Sequence, residues 1–136
     1  NRKGGSKVRK PCTCRMSGKP EWAKKCLAVL KAVKSHKHGW LFGEPVDPVK
    51  LQIPDYFDVI QRPMDLGTIK ANMDNNTIQT PEQFKIDMLT TFQNAMRYNP
   101  ASHDVHVMAK MLLELFHSKW DPQEAAIMEK WRFETT

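Results

Sequence analysis

The residues with chemistry to offer stand in a few short stretches. In "NAMRYNPASH" (94–103), Asn99 lies between a helix-like run and Pro100, and a proline disfavours helical geometry in the residue before it. A primary amide carries two donor hydrogens and one acceptor oxygen. Asn99 is therefore suited either to closing a turn on its own backbone or to binding a neutral polar group. In "PDYFDVIQRPMD" (54–65), Tyr56 brings a hydroxyl on an apolar ring, while Asp55, Asp58 and Asp65 bring carboxylates. Carboxylates this close raise acid–base catalysis, but each sits where a helix cap or a solvated loop accounts for it. No Ser/His/Asp or Cys/His set accompanies them, so no enzyme is expected.

Cys12, Cys14 and Cys26 make an odd set, which fits a reducing compartment. Cys12 and Cys14 stand closer than zinc-binding pairs do, and His36 and His38 supply no second pair at zinc-finger distance. Adventitious metal contact is the most this pattern supports. Neither a resident metal nor a cofactor is expected.

The elements that must hold these residues are helices. Trp22, Cys26, Leu27, Leu30 and Val33 recur at helical spacing with Lys24, Lys25, Lys31 and Lys34 between them, predicting a helix from Glu21 to about His38. Pro20 suits its first turn and Gly39 its stop. From Trp40 to Pro63, the prolines Pro45, Pro48, Pro54 and Pro63 exclude a long helix or a central strand. Yet the stretch is apolar, so it reads as a long loop that must pack on something, with one short helix from Asp55 to about Ile60.

Asp65 can cap a helix ending near Asn75-Asn76. Thr80-Pro81-Glu82-Gln83 is a capping box opening a helix whose stripe is Phe84, Met88, Phe92 and Ala95 and whose end falls near Tyr98. Ser102 is the expected cap of a last long helix with Val105, Met108, Ala109, Leu112, Phe116 and Trp120 on one face. Asp121-Pro122 either kinks that helix or starts a further short one carrying Ile127, Met128 and Trp131. Four main helices, no convincing strand and one long loop between the first two main helices predict an all-α bundle.

The chain has 136 residues, the size of one domain with a real core. Its net charge of +6 invites a nucleic-acid partner, but residues 1–20 carry seven basic side chains and no acid, against 14 basic and 15 acidic in the remainder. The expected organisation is a basic, disordered tail over 1–20, a domain over 21–121 and a helical extension over 122–136. No apolar run approaches the roughly 20 residues needed to span a bilayer, so no membrane association is expected. The chain reads as a soluble part of something longer.

Taken in order, Trp40 and Phe42, Pro45-Val46-Asp47, Pro54-Asp55-Tyr56, Pro63-Met64-Asp65 and Tyr98-Asn99-Pro100 resemble the bromodomain family in its BET-like variety, from about Trp22 to Trp120. The resemblance implies a left-handed four-helix bundle whose long loop and last short loop enclose a pocket for acetylated lysine. It implies that Asn99 donates to the acetyl oxygen and that Tyr56 reaches the same oxygen through a water. It places Phe42, Val46, Leu51, Ile53, Ala95 and Tyr98 in the walls, Val105 beside the mouth, Trp40 with Phe42 in a shelf, and Leu41 and His103 at the peptide rim.

The shelf departs from the family pattern. Leu41 stands where proline is usual, which is expected to loosen the backbone at the pocket's edge and leave an amide hydrogen that proline lacks; Met96 occupies a variable position. The implied function is recognition of acetylated histone tails by a monomeric, nuclear, chromatin-associated protein that regulates transcription. The rival reading is a nucleic-acid-binding helical domain acting through the basic tail, and weak DNA contact there is compatible with either.

Acetylation replaces an ammonium with a neutral amide bearing a carbonyl, an N–H and a methyl group. A reader therefore needs an apolar slot, one donor and no acidic partner.

Overall fold

Eight helical segments follow one another in the computed structural model, which describes residues 19–135. The expectations for Cys12, Cys14 and the tail up to residue 18 lie outside these residues. In order come α1 (Glu21–Lys34), a 3-10 turn (Gly39–Phe42), α2 (Tyr56–Val59), α3 (Leu66–Asp74), α4 (Pro81–Tyr98), α5 (Asp104–Trp120), a second 3-10 turn (Asp121–Gln123) and α6 (Glu124–Thr135). Among the described residues there is no strand.

Helical spacing fills the core. α1 buries Trp22, Ala23, Cys26, Val29, Leu30 and Val33, α4 buries Phe84, Met88 and Phe92, and α5 buries Ala109, Leu112, Phe116 and Trp120. Each fully buried side chain of Val, Leu or Phe size stabilises the fold by about 1.5–3 kcal/mol. Phe116 stacks on Trp120 with ring centroids 5.6 Å apart, and Phe84 closes the cluster at 5.5 Å from Trp120. α4 packs most extensively on α5, and α1 packs on α3, α5 and α6. Burial pushes the Cys26 thiol far above its usual range, leaving it a neutral core residue.

Local capping chemistry sets most boundaries. The Asp65 carboxylate accepts the Thr68 N–H at 2.9 Å and opens α3. Thr80 accepts the Gln83 N–H at 3.0 Å and opens α4, while the Gln83 side chain accepts from Gln79 rather than Thr80, one residue further out than a capping box specifies. Asn76 closes α3 with φ 66°, a left-handed conformation that asparagine tolerates.

Two boundaries differ from expectation, and at Asp121-Pro122 the further short helix is the alternative that forms. α1 stops at Lys34, short of His38, because the chain folds back at once: a Cβ on Gly39 would lie 2.4 Å from the Lys34 carbonyl oxygen, a reversal open only to glycine. α5 is capped by His103, whose Nδ1 accepts the Val105 N–H at 3.1 Å, and not by Ser102, which is exposed one residue earlier. After Trp120 the chain makes a 3-10 turn over Asp121–Gln123 and continues as α6, whose Ile127 is fully buried in the common core.

Candidate functional site

The long loop between α1 and α3 is fastened to α4 by several polar ties. Arg62 forms an ion pair with buried Asp87, the Asn94 side-chain amide donates to the Arg62 carbonyl at 2.8 Å, and the Tyr98 hydroxyl donates to Asp55 at 2.6 Å. At the loop's base, a Cβ on Gly67 would lie 2.3 Å from the Gly43 carbonyl oxygen. Only glycine lets the first turn of α3 touch the loop backbone there.

Between this loop and the ends of α4 and α5 lies a cavity of about 380 Å³, within the size range of small-ligand sites. Its lining includes Leu41, Phe42, Val46, Leu51, Ile53 and Tyr56 from the loop side, Ala95, Tyr98 and Asn99 from the end of α4, and His103 and Val105 from the start of α5. The structure thus brings together every sequence-expected site residue except Trp40.

Trp40 is 74 % exposed and does not line the cavity. With about three residues per turn in a 3-10 helix, positions 40 and 42 face different sides. Phe42 packs edge-on against Phe92 at 5.5 Å, so Trp40 turns outward. Leu41, by contrast, does line the cavity. The amide hydrogen that proline would lack donates to the His38 carbonyl at 3.3 Å and helps close the 3-10 turn.

Four lining residues lie outside the sequence-expected set: Glu44, Met64, Asp65 and Thr91. Met64 and Asp65 belong to the Pro63-Met64-Asp65 triplet, so their signal was present; Thr91, inside α4, gave none. Two carboxylates therefore border a cavity expected to have none. The Asp65 oxygens are engaged, accepting the Thr68 N–H at 2.9 Å and the Thr68 hydroxyl at 2.6 Å, and Glu44 is exposed to solvent. The Thr91 hydroxyl likewise spends its hydrogen on the Asp87 carbonyl.

Asn99 closes the turn at the end of α4 and also lines the cavity. Its backbone N–H and its side-chain Nδ2 each donate to the Ala95 carbonyl, at 3.0 and 2.9 Å, so the amide helps terminate α4. An amide nitrogen carries two hydrogens, and one remains for a ligand in the cavity that Asn99 lines. Tyr56 is 6 % exposed, its ring is 5.0 Å from that of Tyr98, and its hydroxyl makes no hydrogen bond to a described residue. Burial raises the Tyr56 pKa, and the hydrogen bond to Asp55, then burial and the nearby charge, raise that of Tyr98. Both phenols stay neutral at physiological pH.

Behind the expected set stands one residue the sequence did not flag. His106 Nδ1 lies 2.9 Å from the Asn99 carbonyl oxygen and 3.1 Å from that of Met96. The available signal was the need itself: the last carbonyls of a helix lack intrahelical donors, and a histidine in the next helix's first turn can supply one.

Comparison with known proteins matches this geometry. The family model described as Bromodomain matches residues 26–111. Transcription factor GTE9 of Arabidopsis thaliana is 50% identical over 101 residues, covering 74% of this chain and 15% of that protein. Transcription factor GTE4 of the same plant is 46% identical over 112 residues, covering 82% of this chain and 15% of that protein. Transcription factor GTE10 is 40% identical over 127 residues, which is 93% of this chain and 12% of that protein. The chain thus spans less than a sixth of the length of each of these relatives. A helical bundle with this loop, this pocket and Asn99 at the turn, matched by the family model over most of its described residues, belongs to the bromodomain family in its BET-like variety.

Proposed function

We propose that this chain is a non-catalytic reader of acetylated lysine, that its targets are acetylated histone tails, and that it serves a nuclear protein acting in transcription. The observation that carries the reading is Asn99: an anchored amide with one uncommitted hydrogen, lining a mainly apolar cavity of about 380 Å³ together with Tyr56. An acetyl amide entering this slot regains a hydrogen bond from Asn99. An unmodified lysine loses its hydration in a mainly apolar slot, where the one buried carboxylate, Asp65, is already turned to the first turn of α3 by bonds from the Thr68 N–H and hydroxyl. That difference is worth several kcal/mol. Membership of the bromodomain family and the names of the Arabidopsis relatives, all transcription factors, support the setting.

One small side chain fills the pocket and the peptide loses freedom on binding, so affinity for a singly acetylated peptide is modest, roughly −5 to −7 kcal/mol. Calorimetry with paired acetylated and unmodified histone-tail peptides tests the proposal. Binding of the acetylated member alone is expected, and equal binding of both overturns it.

The seven basic side chains of residues 1–20 favour a second, compatible reading, contact with DNA. Such binding falls steeply with salt and disappears when residues 1–20 are deleted, whereas acetyl-peptide binding survives the deletion.

A further inference from the structure

We propose that His106 is the positioning residue of this site, holding Asn99 in its binding geometry from the side of α5; the inference rests on the acetyl-lysine reading above. Asn99 follows the last turn of α4, with φ −101° and ψ 135°, and the link to α5 contains Pro100, which has no N–H to give. From the α4 side, Asn99 is tied through its backbone N–H and its Nδ2, both to the Ala95 carbonyl. From the α5 side, among the described residues, Asn99 is tied by His106, whose Nδ1 meets the Asn99 carbonyl at 2.9 Å and the Met96 carbonyl at 3.1 Å.

Carbonyl oxygens only accept, so Nδ1 must carry the hydrogen and divide it between them. The ring is partly buried and sits in the first turn of α5, a helix held by the packing of Ala109, Leu112, Phe116 and Trp120. With both ties made, the peptide plane of Asn99 has little freedom, and the remaining side-chain hydrogen keeps one direction. Preorganisation of this kind raises affinity by removing an ordering cost that the ligand would otherwise meet.

Loss of the donor should therefore weaken ligand binding beyond any change in stability. The test compares His106→Phe, which keeps a ring and loses the donor, with His106→Asn, whose amide nitrogen stands as many bonds from the backbone as Nδ1 does. Each is titrated by calorimetry with a histone H4 tail peptide in acetylated and unmodified form, and the side-chain amide signals of Asn99 are recorded by NMR without ligand. His106→Phe is expected to weaken acetylated-peptide binding by about 3- to 10-fold and to shift or broaden the Asn99 signals, and His106→Asn to recover binding to within about twofold. Wild-type affinity in His106→Phe overturns the proposal. So does a folded His106→Asn as weak as His106→Phe.

Where His106→Phe does not fold, His106→Leu replaces it, because its smaller side chain likewise carries no donor. A wild-type protein that does not distinguish the two peptides overturns the acetyl-lysine reading instead. In that event unchanged Asn99 signals in the donor-free variant still overturn the positioning role.

Discussion

The Tyr98 hydroxyl donates a 2.6 Å hydrogen bond to Asp55, joining the last turn of α4 to a loop residue 43 positions earlier in the chain. Tyr98 is also a cavity wall and packs beside Tyr56, so one residue both pins the loop and shapes the slot.

That bond makes a titration prediction. A phenol donating to a carboxylate resists ionisation, so the folded pKa of Tyr98 lies above its unfolded value. The contact is then intact below the unfolded pKa, about 10, and is lost as pH rises through the folded one. Following phenolate absorbance with pH, both tyrosines of the chain are expected to ionise above the ordinary tyrosine value. Asp55→Asn is expected to bring one of them down while leaving the other in place. Two unshifted tyrosines in the wild type would contradict the geometry.

Glu134, near the end of α6, caps the start of α1: its carboxylate accepts the backbone N–H groups of Glu21 at 2.7 Å and of Trp22 at 3.0 Å. Those bonds to the backbone hold its pKa below the usual carboxylate range. A depressed folded pKa means stability that is present above the unfolded pKa and lost as pH falls through the folded one. Replacing a capping side chain by alanine costs about 0.5–2 kcal/mol, and solvent exposure places Glu134→Ala in the lower half of that range. Denaturant unfolding at neutral pH is expected to show this loss, and in acid, where the wild-type carboxyl is protonated, the gap between wild type and variant should close.

The contrast between these caps explains what a sequence can reveal. Asp65 and Thr80 cap through residues three positions away, Thr68 and Gln83, so each signal is complete within one short stretch. Glu134 reaches α1 across 113 positions, and His106 meets Asn99 only after the chain has turned at Pro100. Nothing local distinguishes either residue from a solvated side chain. Similarly, the apolar wall was legible because Phe42, Val46, Leu51 and Ile53 crowd one irregular, proline-rich loop, although Leu51 stays 57 % exposed. Which face of the 3-10 turn points inward was not legible. Phe92 in α4 decides it, by packing against Phe42 and leaving Trp40 outside.

Gly67 predicts a tight steric limit. An added methyl would meet the Gly43 carbonyl oxygen at 2.3 Å, a backbone atom that cannot yield as a flexible side chain would, and the Asp65 carboxylate at 3.1 Å. Gly67→Ala is expected to destabilise the domain by about 1–3 kcal/mol, the usual cost of overpacking. Gly43→Ala, whose Cβ would find its nearest neighbour at 3.5 Å, is expected to be nearly silent. Thermal unfolding of the two variants side by side measures the difference, and equal midpoints would refute the close contact.

The sharpest prediction concerns Asn99. Asn99→Ala removes the Nδ2 bond to the Ala95 carbonyl, but that oxygen still accepts the Asn99 backbone N–H at 3.0 Å, so stability is expected to fall by about 1 kcal/mol or less. Acetyl-peptide affinity is expected to fall by at least about tenfold, since the ligand carbonyl loses its donor in a site it has desolvated. Asn99→Asp goes further at nearly the same volume: two acceptor oxygens face a carbonyl that needs a donor, and a negative charge favours an ammonium. Acetylated-peptide binding should fall below that of Asn99→Ala, and the preference for acetylated over unmodified peptide should shrink or invert. Calorimetry with both peptides and all three proteins reads the order directly. Undiminished affinity in Asn99→Ala would show that the amide ends a helix and nothing more.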